Sequence, residues 1–472
     1  MAVLTYDIGT SAIKVALFSP DGAMLATASC PLTTRISGRK VTQNPKDWWE
    51  GFLKCARQCL EAQQFEELTI IGTGQMEDFL LLDALGNPIG EASLYSSADA
   101  DEHLLPEELR RRVEAKVPNK LDSFTPFVKA FAAYRLSGLE NVQYLIFGAK
   151  DYVNFCLTGV SATDPTNAAT TSFLDAHTMS WVEEGEPFLP LLPKLIPPTE
   201  VIGTVREEIL TLLGLEGQQV LVLNGIGDLG AVTLGAGITS PGEGYVYLGT
   251  TGWAALLARE RAENNQLFSL AFVQPNEWVI VAPLLNLGSA YQWSLRVFLG
   301  KDSYAESERA LIEYLTTPVQ AWPYLCGERT PYRNEKVRAV ITRLESTTCK
   351  EEIHAAFVRS LLFALRHAFE SLPKKAPSLR VIGGLTRSTM FLQCLADVLG
   401  VPCHVVGGET FAPQRGLYAL FLLHRGITPP PVPVERTYFP REHPLLECLY
   451  REYRDFAEKL LQGVECFPGY LP

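Results

Sequence analysis

Near its start the chain reads AVLTYDIGT and then SAIKVALFSPDG, two apolar runs rich in strand formers, separated by a glycine-containing turn and closed by Pro-Asp-Gly. That pattern predicts a β-hairpin. A dinucleotide site of the glycine-fingerprint kind needs a helix directly after its glycines, so a second strand at this place excludes it. The same grammar returns in YVYLGTTGWAALLA, residues 245–258, where an apolar strand, a Gly-Thr-Thr turn and a second apolar run follow one another. Two short matches of this kind predict a duplicated fold.

Between these hairpins the chain alternates strand and helix signals. PKDWWEGFLKCARQCLEAQ places Pro at a helix start and apolar residues at helical spacing, and LTIIGTGQ follows as a short buried strand. The class is therefore α/β. With 472 residues and 47% hydrophobic content, the chain can build substantial cores and is expected to form two domains. Pro and Gly cluster in ITSPGEG, residues 238–244, which marks the main boundary. PPPVPVERTYFP reads as an extended linker into a last helix, HPLLECLYREYRDFAEKLL.

Charge and cysteine content narrow the function classes. A formal net charge of −12 without any basic run disfavours a nucleic acid partner. The ten cysteines contain no CxxC pair, and Cys55 with Cys59 reads as two ordinary helix positions, so the thiols are expected to be reduced. Seven dispersed histidines offer no metal-site spacing. There is no signal-like start and no apolar span of membrane length, so a cytoplasmic protein without a membrane partner is predicted.

Chemistry concentrates at glycine turns. In D-I-G-T-S, Asp7 opens a turn in which Gly9 permits close backbone while Thr10 and Ser11 supply hydroxyls and amides, with Lys14 close behind. Such a turn can hold phosphate oxygens, and its carboxylate a hydrated magnesium ion. Gly249-Thr250-Thr251-Gly252 is a second such turn. VIGGLTRS, residues 381–388, ends a strand in Gly383-Gly384, bare backbone on which an adenine could lie. Three glycine turns at strand ends suit a nucleotide held in a cleft. In NGIGDLGAVTLGAG, residues 224–237, Asp228 stands between glycines before an apolar helix, either as a helix cap or as a working base. Trp48 and Trp49 are read as packing residues, Phe124, Thr125, Pro126 and Lys129 likewise, and Glu328-Arg329 as an interdomain or loop-ordering pair.

In order along the chain, DIGTSAIK, PKDWWEGF, GTGQMEDFLLLDALGNPI, AKDYVNFCLTG, DPTNAATTSFLDAHTMSW, VIGTV, NGIGDLGAVTLGAG, YLGTTG, YLCGERTPYRNEKVRAVITRL and VIGGLTRSTMFLQCLADVLGVPCHV resemble the FGGY family of carbohydrate kinases. The resemblance implies a two-domain actin-like, ribonuclease H-like fold with the active site in the interdomain cleft. The implied parts are an N-terminal domain over 1–240, a C-terminal nucleotide domain over 241–430, and a linker and closing helix over 431–472. It implies ATP and Mg²⁺, a small sugar, ketose or polyol as substrate, and allows a homodimer. Asp228 would be the catalytic base. Asp7 would bind Mg²⁺ through water, Gly9, Thr10, Ser11 and Lys14 would attend the phosphates, Gly249, Thr250 and Thr251 would meet them from the second domain, and Gly383 and Gly384 would flank the adenosine. Gln75, Met76, Glu77 and Ser97 would join Asp228 at the substrate.

The sugar side departs from the family. Glu77 stands where xylulokinase-like members carry His, and Met76 stands where glycerol kinase-like members carry Arg. In LYSSADA, Tyr95, Ser96 and Ser97 match the Trp-Asn-Asp segment and Asp99 falls at its Arg. Leu229 replaces a polar residue, and in ETFAPQRGLYALFLL the residues Leu417 and Tyr418 add bulk at an expected Gly-Ala-Ala helix start. The leading expectation is a xylulokinase-like sugar kinase; the alternative is a pseudokinase-like module that binds sugar or nucleotide without turnover.

Overall fold

A computed structural model describes residues 2–462 apart from 62, 64, 186, 265, 301, 302, 409 and 410. Glu409 and Thr410, at the head of the ETFAPQRG segment, thus lie outside the described residues. The chain forms two compact units. Unit 1 comprises 1–237, 269–278 and 411–431; unit 2 comprises 238–268, 279–410 and 432–472.

Unit 1 is built on one mixed sheet. The initial hairpin forms as its sequence predicts, β1 (Ala2–Ile8) pairing antiparallel with β2 (Ala12–Phe18), and β2 with β3 (Met24–Pro31). On its other side β1 runs parallel to β4 (Leu68–Gly74). Every residue of β4 is buried, which explains its unbroken LTIIGTG run. With β5 (Val201–Thr204) and β6 (Val220–Leu223) the order is β5-β6-β4-β1-β2-β3, where β6 is parallel to β4 and antiparallel to β5.

The helix expected from PKDWWEGF is α1 (Pro45–Leu60), with Asn44 at its N-cap accepting from the Lys46 amide at 3.2 Å. Its face of Trp48, Phe52, Cys55 and Cys59 packs into the sheet core. Unit 1 also holds α2 (Pro126–Ser137), α3 (Ala149–Thr158) and α4 (Asp228–Gly235).

Unit 2 repeats the beginning of unit 1. β7 (Gly244–Leu248) and β8 (Gly252–Ala258) form an antiparallel hairpin, and β7 runs parallel to β9 (Leu379–Ile382) as β1 does to β4. The sheet continues through β10 (Cys403–Val406) to β11 (Val434–Tyr438). Where a linker is expected, the chain adds a strand instead. The alternating V-E-R-T-Y run follows the prolines and pairs antiparallel with β10, a local β-preference that the proline content of the whole segment obscures.

Unit 2 holds α5 (Gly288–Ser294), α6 (Tyr304–Tyr314), α7 (Lys350–Glu370) and α8 (Thr389–Leu399). After α9 (Ala412–His424), which belongs to unit 1, the closing helix α10 (Pro444–Leu461) packs in unit 2. There Tyr453 stacks on Trp322 and shares a 2.9 Å hydroxyl contact with Tyr324.

α9 lies tightly against α4. A side-chain carbon at Gly235 would clash with the Ala412 carbonyl, and one at Gly416 with the Ala231 carbonyl, so glycines at both places let the two backbones touch. Arg415 donates to the Gly235 carbonyl through Nε at 2.8 Å and Nη2 at 2.6 Å, closing the end of α4. Leu417 is fully buried. Tyr418 stacks on Phe18 and donates to the Pro20 carbonyl at 2.8 Å, so the bulk of both residues serves packing within unit 1.

Candidate active site

The three parallel strands of unit 1, β1, β4 and β6, end at one edge of the sheet, and the carboxyl edge of such a sheet is where ligands bind. β1 delivers Asp7 and the turn Gly9-Thr10-Ser11. Lys14 is the register partner of Asp7 across the hairpin, so both side chains stand on one face. The turn is tied down: Gly9 N–H donates to the Ala12 carbonyl, the Thr10 carbonyl accepts from Gln43 Nε2 at 2.6 Å, and the Thr10 hydroxyl reaches Tyr95 Oη at 3.4 Å.

β4 leads into Gln75-Met76-Glu77-Asp78. Gln75 N–H donates to the Ile8 carbonyl, joining this loop to the end of β1. Gln75 is buried, with Nε2 on Gln43 Oε1 at 2.9 Å and its own Oε1 without a partner among the described residues. Met76 packs on Gly227, where a side-chain carbon would strike its sulfur. Glu77 holds φ of 62°, a left-handed backbone uncommon for a residue with a side chain.

β6 leads to Asp228, the first residue of α4. Its Oδ1 accepts from the Leu229 amide at 2.7 Å, while the cap position is Gly227. The cap-like bond uses one oxygen, so capping does not exclude a role as base. Behind the loop lies a buried polar network. Asp164 accepts from the Gly227 amide at 3.1 Å and from the Asn167 amide. Lys150 Nζ sits 3.9 Å from Asp164, donates to Asp151 at 2.6 Å and to the Asn224 carbonyl at 3.1 Å, and Asn167 Nδ2 donates to Asp151 Oδ2 at 2.8 Å. These bonds fix the backbone from which Asp228 projects.

Carboxylates crowded in partly dry surroundings hold their protons. Burial, then the charge of Asp7, then that of Asp164 push Asp228 up to about 7, while the Leu229 amide opposes them. Burial lifts Asp7 to about 6 against the pull of Lys14. Asp164 is raised to about 6 by burial, with Lys150 opposing. A carboxylate with proton affinity near neutrality can take a proton and return it at physiological pH.

In unit 2 a cavity of about 850 Å³ opens between the ends of β7 and β9 and the starts of α5 and α8. Its walls include Gly249, Thr250, Tyr304, Glu308, Gly384 and Arg387. The volume is that of a ligand pocket. The Gly249-Thr250 turn is pinned to α5, its two carbonyls accepting from the Gly288 and Ser289 amides at 3.0 and 2.9 Å. Gly383, at φ 118°, lies behind the wall, and a side-chain carbon there would meet the Leu248 carbonyl carbon at 2.6 Å. Thr251 is exposed beside the cavity and is not part of its lining.

Other residues singled out in the sequence are held in internal hydrogen bonds or ring contacts. Ser97 is fully buried, its hydroxyl accepting from the Val41 amide at 2.9 Å and donating to Asp99 at 2.7 Å. Glu328 is a buried loop-ordering acid, accepting from the Leu285 amide at 2.7 Å and the Arg329 amide at 2.9 Å. Trp48 is buried with Nε1 on Gln43 Oε1 at 2.7 Å, and Trp49 stacks on Phe52. Sequence reasoning passed over Asp78, Asp151, Asp164 and Lys150. An Asp just before Pro, as in T-D-P-T-N, is a readable cap signal, and Asp78 is an acid opening the apolar run FLLL; either could have drawn notice.

Residues 2–235 match the N-terminal domain, and residues 244–413 the C-terminal domain, of the FGGY family of carbohydrate kinases. The chain is 26% identical to the xylulose kinase of Escherichia coli K12 over 431 residues, covering 87% of each chain. It is 26% identical to the glycerol kinase of Geobacter sp. M21 over 426 residues, 85% of this chain and 86% of that one. The crystal structure of a xyloylose kinase from Brucella ovis superposes with a TM-score of 0.88 at 25% identity, covering 98% of this chain and 99% of its own. The mixed α/β two-domain fold is thus that of the actin-like kinases.

Proposed function

This chain belongs to the FGGY family of carbohydrate kinases, phosphotransferases that use an alcohol group as acceptor, and we propose that it transfers the γ-phosphoryl group of ATP to a hydroxyl of a small ketose or polyol with Asp228 as general base. The observation that carries this reading is the Asp228 carboxylate, set at the sheet's carboxyl edge and raised to about 7 by burial and by Asp7. The xylulose and glycerol kinase names of the relatives support a ketose or polyol in the acceptor site.

In the proposed step the acceptor hydroxyl gives its proton to Asp228 as its oxygen bonds to the γ-phosphorus. The bond from that phosphorus to the bridging oxygen breaks, and ADP leaves. A positioned base of this kind contributes on the order of 10²–10⁴-fold, with in-line placement and charge neutralisation supplying much of the rest. The Asp7 turn is read as a phosphate cradle through Gly9, Thr10, Ser11 and Lys14. The unit 2 cavity is read as the nucleotide pocket, with Gly249, Thr250 and Gly384 on its wall. Gln75, Met76 and Glu77 would border the acceptor.

Among the described residues no group of three or more His, Cys, Asp or Glu is arranged to hold a metal ion. Mg²⁺ fits the donors that are present, because it is commonly held by one or two carboxylates together with water and substrate phosphates. Asp7, an oxygen donor repelled by Asp228, would hold it through water, and the ion would offset charge on the transferring phosphoryl group. The test is ADP release by the purified chain with MgATP across ketoses, aldoses and polyols. Acceptor-dependent release supports the reading. Release that ignores the acceptor, or none with any of them, contradicts it.

A further inference from the structure

Beside Asp228 lies a buried acid that the reading above leaves without a task. Asp78 is fully buried on the loop after β4. Its Oδ1 accepts from the Tyr95 amide at 3.1 Å, and its Oδ2 has no hydrogen-bond partner among the described residues. Lys129, on α2, is buried too and donates to the Leu94 carbonyl at 2.7 Å. That carbonyl and the Tyr95 amide belong to one peptide unit, so Asp78 and Lys129 grip it from its two sides and are held apart on a fixed spacer. The same Tyr95 contacts Thr10 of the phosphate turn through its hydroxyl. The Asp78 carboxylate also lies within the field of Lys129, Asp228 and Glu77, and its pKa is raised well above the ordinary value, mainly by burial.

An unpartnered buried carboxyl oxygen is costly unless something pairs it part of the time. A substrate hydroxyl suits it well, since a hydroxyl can donate to a carboxylate and accept from a protonated carboxyl. Lys129 has three donors and spends one on Leu94. Meanwhile Ser97, the match to the family's substrate-binding Asp, has its hydroxyl engaged by Val41 and Asp99. We propose that Asp78 and Lys129 bind the acceptor in this protein, Asp78 Oδ2 taking one substrate hydroxyl and Lys129 a second oxygen, and that they select a neutral polyhydroxy compound over a sugar acid.

The selection follows from charge. Four acids, Glu77, Asp78, Asp99 and Asp122, act on the Lys129 ammonium. Adding a substrate carboxylate to that set would place like charges together in a poorly screened site.

The proposal rests on the kinase reading for its meaning, but its test is one of binding. D-xylulose, glycerol and D-gluconate are titrated calorimetrically into the full-length wild type, Asp78→Ala, Asp78→Asn and Lys129→Arg, with MgATP titrated in parallel. The expected result is binding of at least one neutral probe and not of D-gluconate. Asp78→Ala should weaken the neutral probe by 10-fold or more, and Asp78→Asn and Lys129→Arg by less, with MgATP affinity within about twofold throughout. The MgATP titration certifies that each variant is folded. Neutral-probe affinity unchanged in both Asp78 variants, preference for D-gluconate, or no binding of either neutral probe to the wild type would each overturn the proposal. A wild type that binds the neutral probe yet releases no ADP would sink the kinase reading alone and leave this assignment standing.

Discussion

Asp228 carries a conflict that its neighbours create. Its folded pKa of about 7 lies above the ordinary carboxylate value near 4, so the folded state binds the proton more tightly than the unfolded chain does. Stability from this group is full below pH 4 and is lost as pH rises from about 4 through about 7. Asp228→Asn removes the ionisation. With allowance for water access to the half-buried side chain, the variant is predicted to be more stable at pH 8 by on the order of 1–2 kcal/mol, about 2–8 °C in melting temperature. The gain should fade toward pH 5; melting curves in metal-free buffer at both pH values decide, and an equal gain at pH 5 and pH 8 refutes the linkage. Activity carries the opposite sign. The base must be deprotonated, so kcat/KM should fall as pH drops through about 7, and a flat profile from pH 8 to 5.5 would count against Asp228 as the base.

Asp164 acts at one remove, through the Gly227 amide and the charge it adds beside Asp228. Asp164→Asn keeps the shape but removes that charge and weakens the bond. The expected outcome is a 10- to 100-fold loss in kcat with acceptor KM within threefold, and a pH–rate midpoint moved to lower pH. A change in KM alone would assign Asp164 a different part.

Among elements, α4 depends on its neighbour α9, because Gly235 and Gly416 let the two backbones touch. Gly416→Val would force a branched side chain into the Ala231 carbonyl, and separating the helices should cost about 1–3 kcal/mol. Melting temperature and kcat are predicted to fall together; a variant that keeps both would show that the crossing does not position Asp228. Gly384 in unit 2 is the converse case. A side-chain carbon there meets nothing within 4 Å, and the position lines the cavity. Gly384→Val should therefore leave the melting temperature of the free protein unchanged while removing most of the rise produced by MgATP, and an intact rise would place the nucleotide elsewhere.

Both hairpins could be read from sequence because strand, glycine turn and strand lie within some twenty residues. Asp228 could be singled out because its glycines are local. What escaped was built from distance in the chain. Asp78 gains its setting from Tyr95, 17 residues on, and Lys129 from Leu94, 35 residues back. Nothing local distinguishes a lysine in an apolar helix that caps a loop from one that snorkels to water. The strand at Val434–Tyr438 was hidden by the prolines before it.

At the scale of the whole molecule, a duplicated sheet gives each unit a glycine turn at a strand end, unit 1 adding carboxylates and unit 2 a cavity. On the proposed reading the carboxylates serve the chemistry and the cavity holds the nucleotide, so nucleotide binding and chemistry should be separable by mutation. The most direct test is kcat for Asp228→Asn beside the wild type, at saturating MgATP and the best acceptor, with MgATP affinity measured on the same samples. The account predicts a fall of about 10²–10⁴-fold in kcat with nucleotide affinity unchanged; a kcat within a few-fold of the wild type would contradict it.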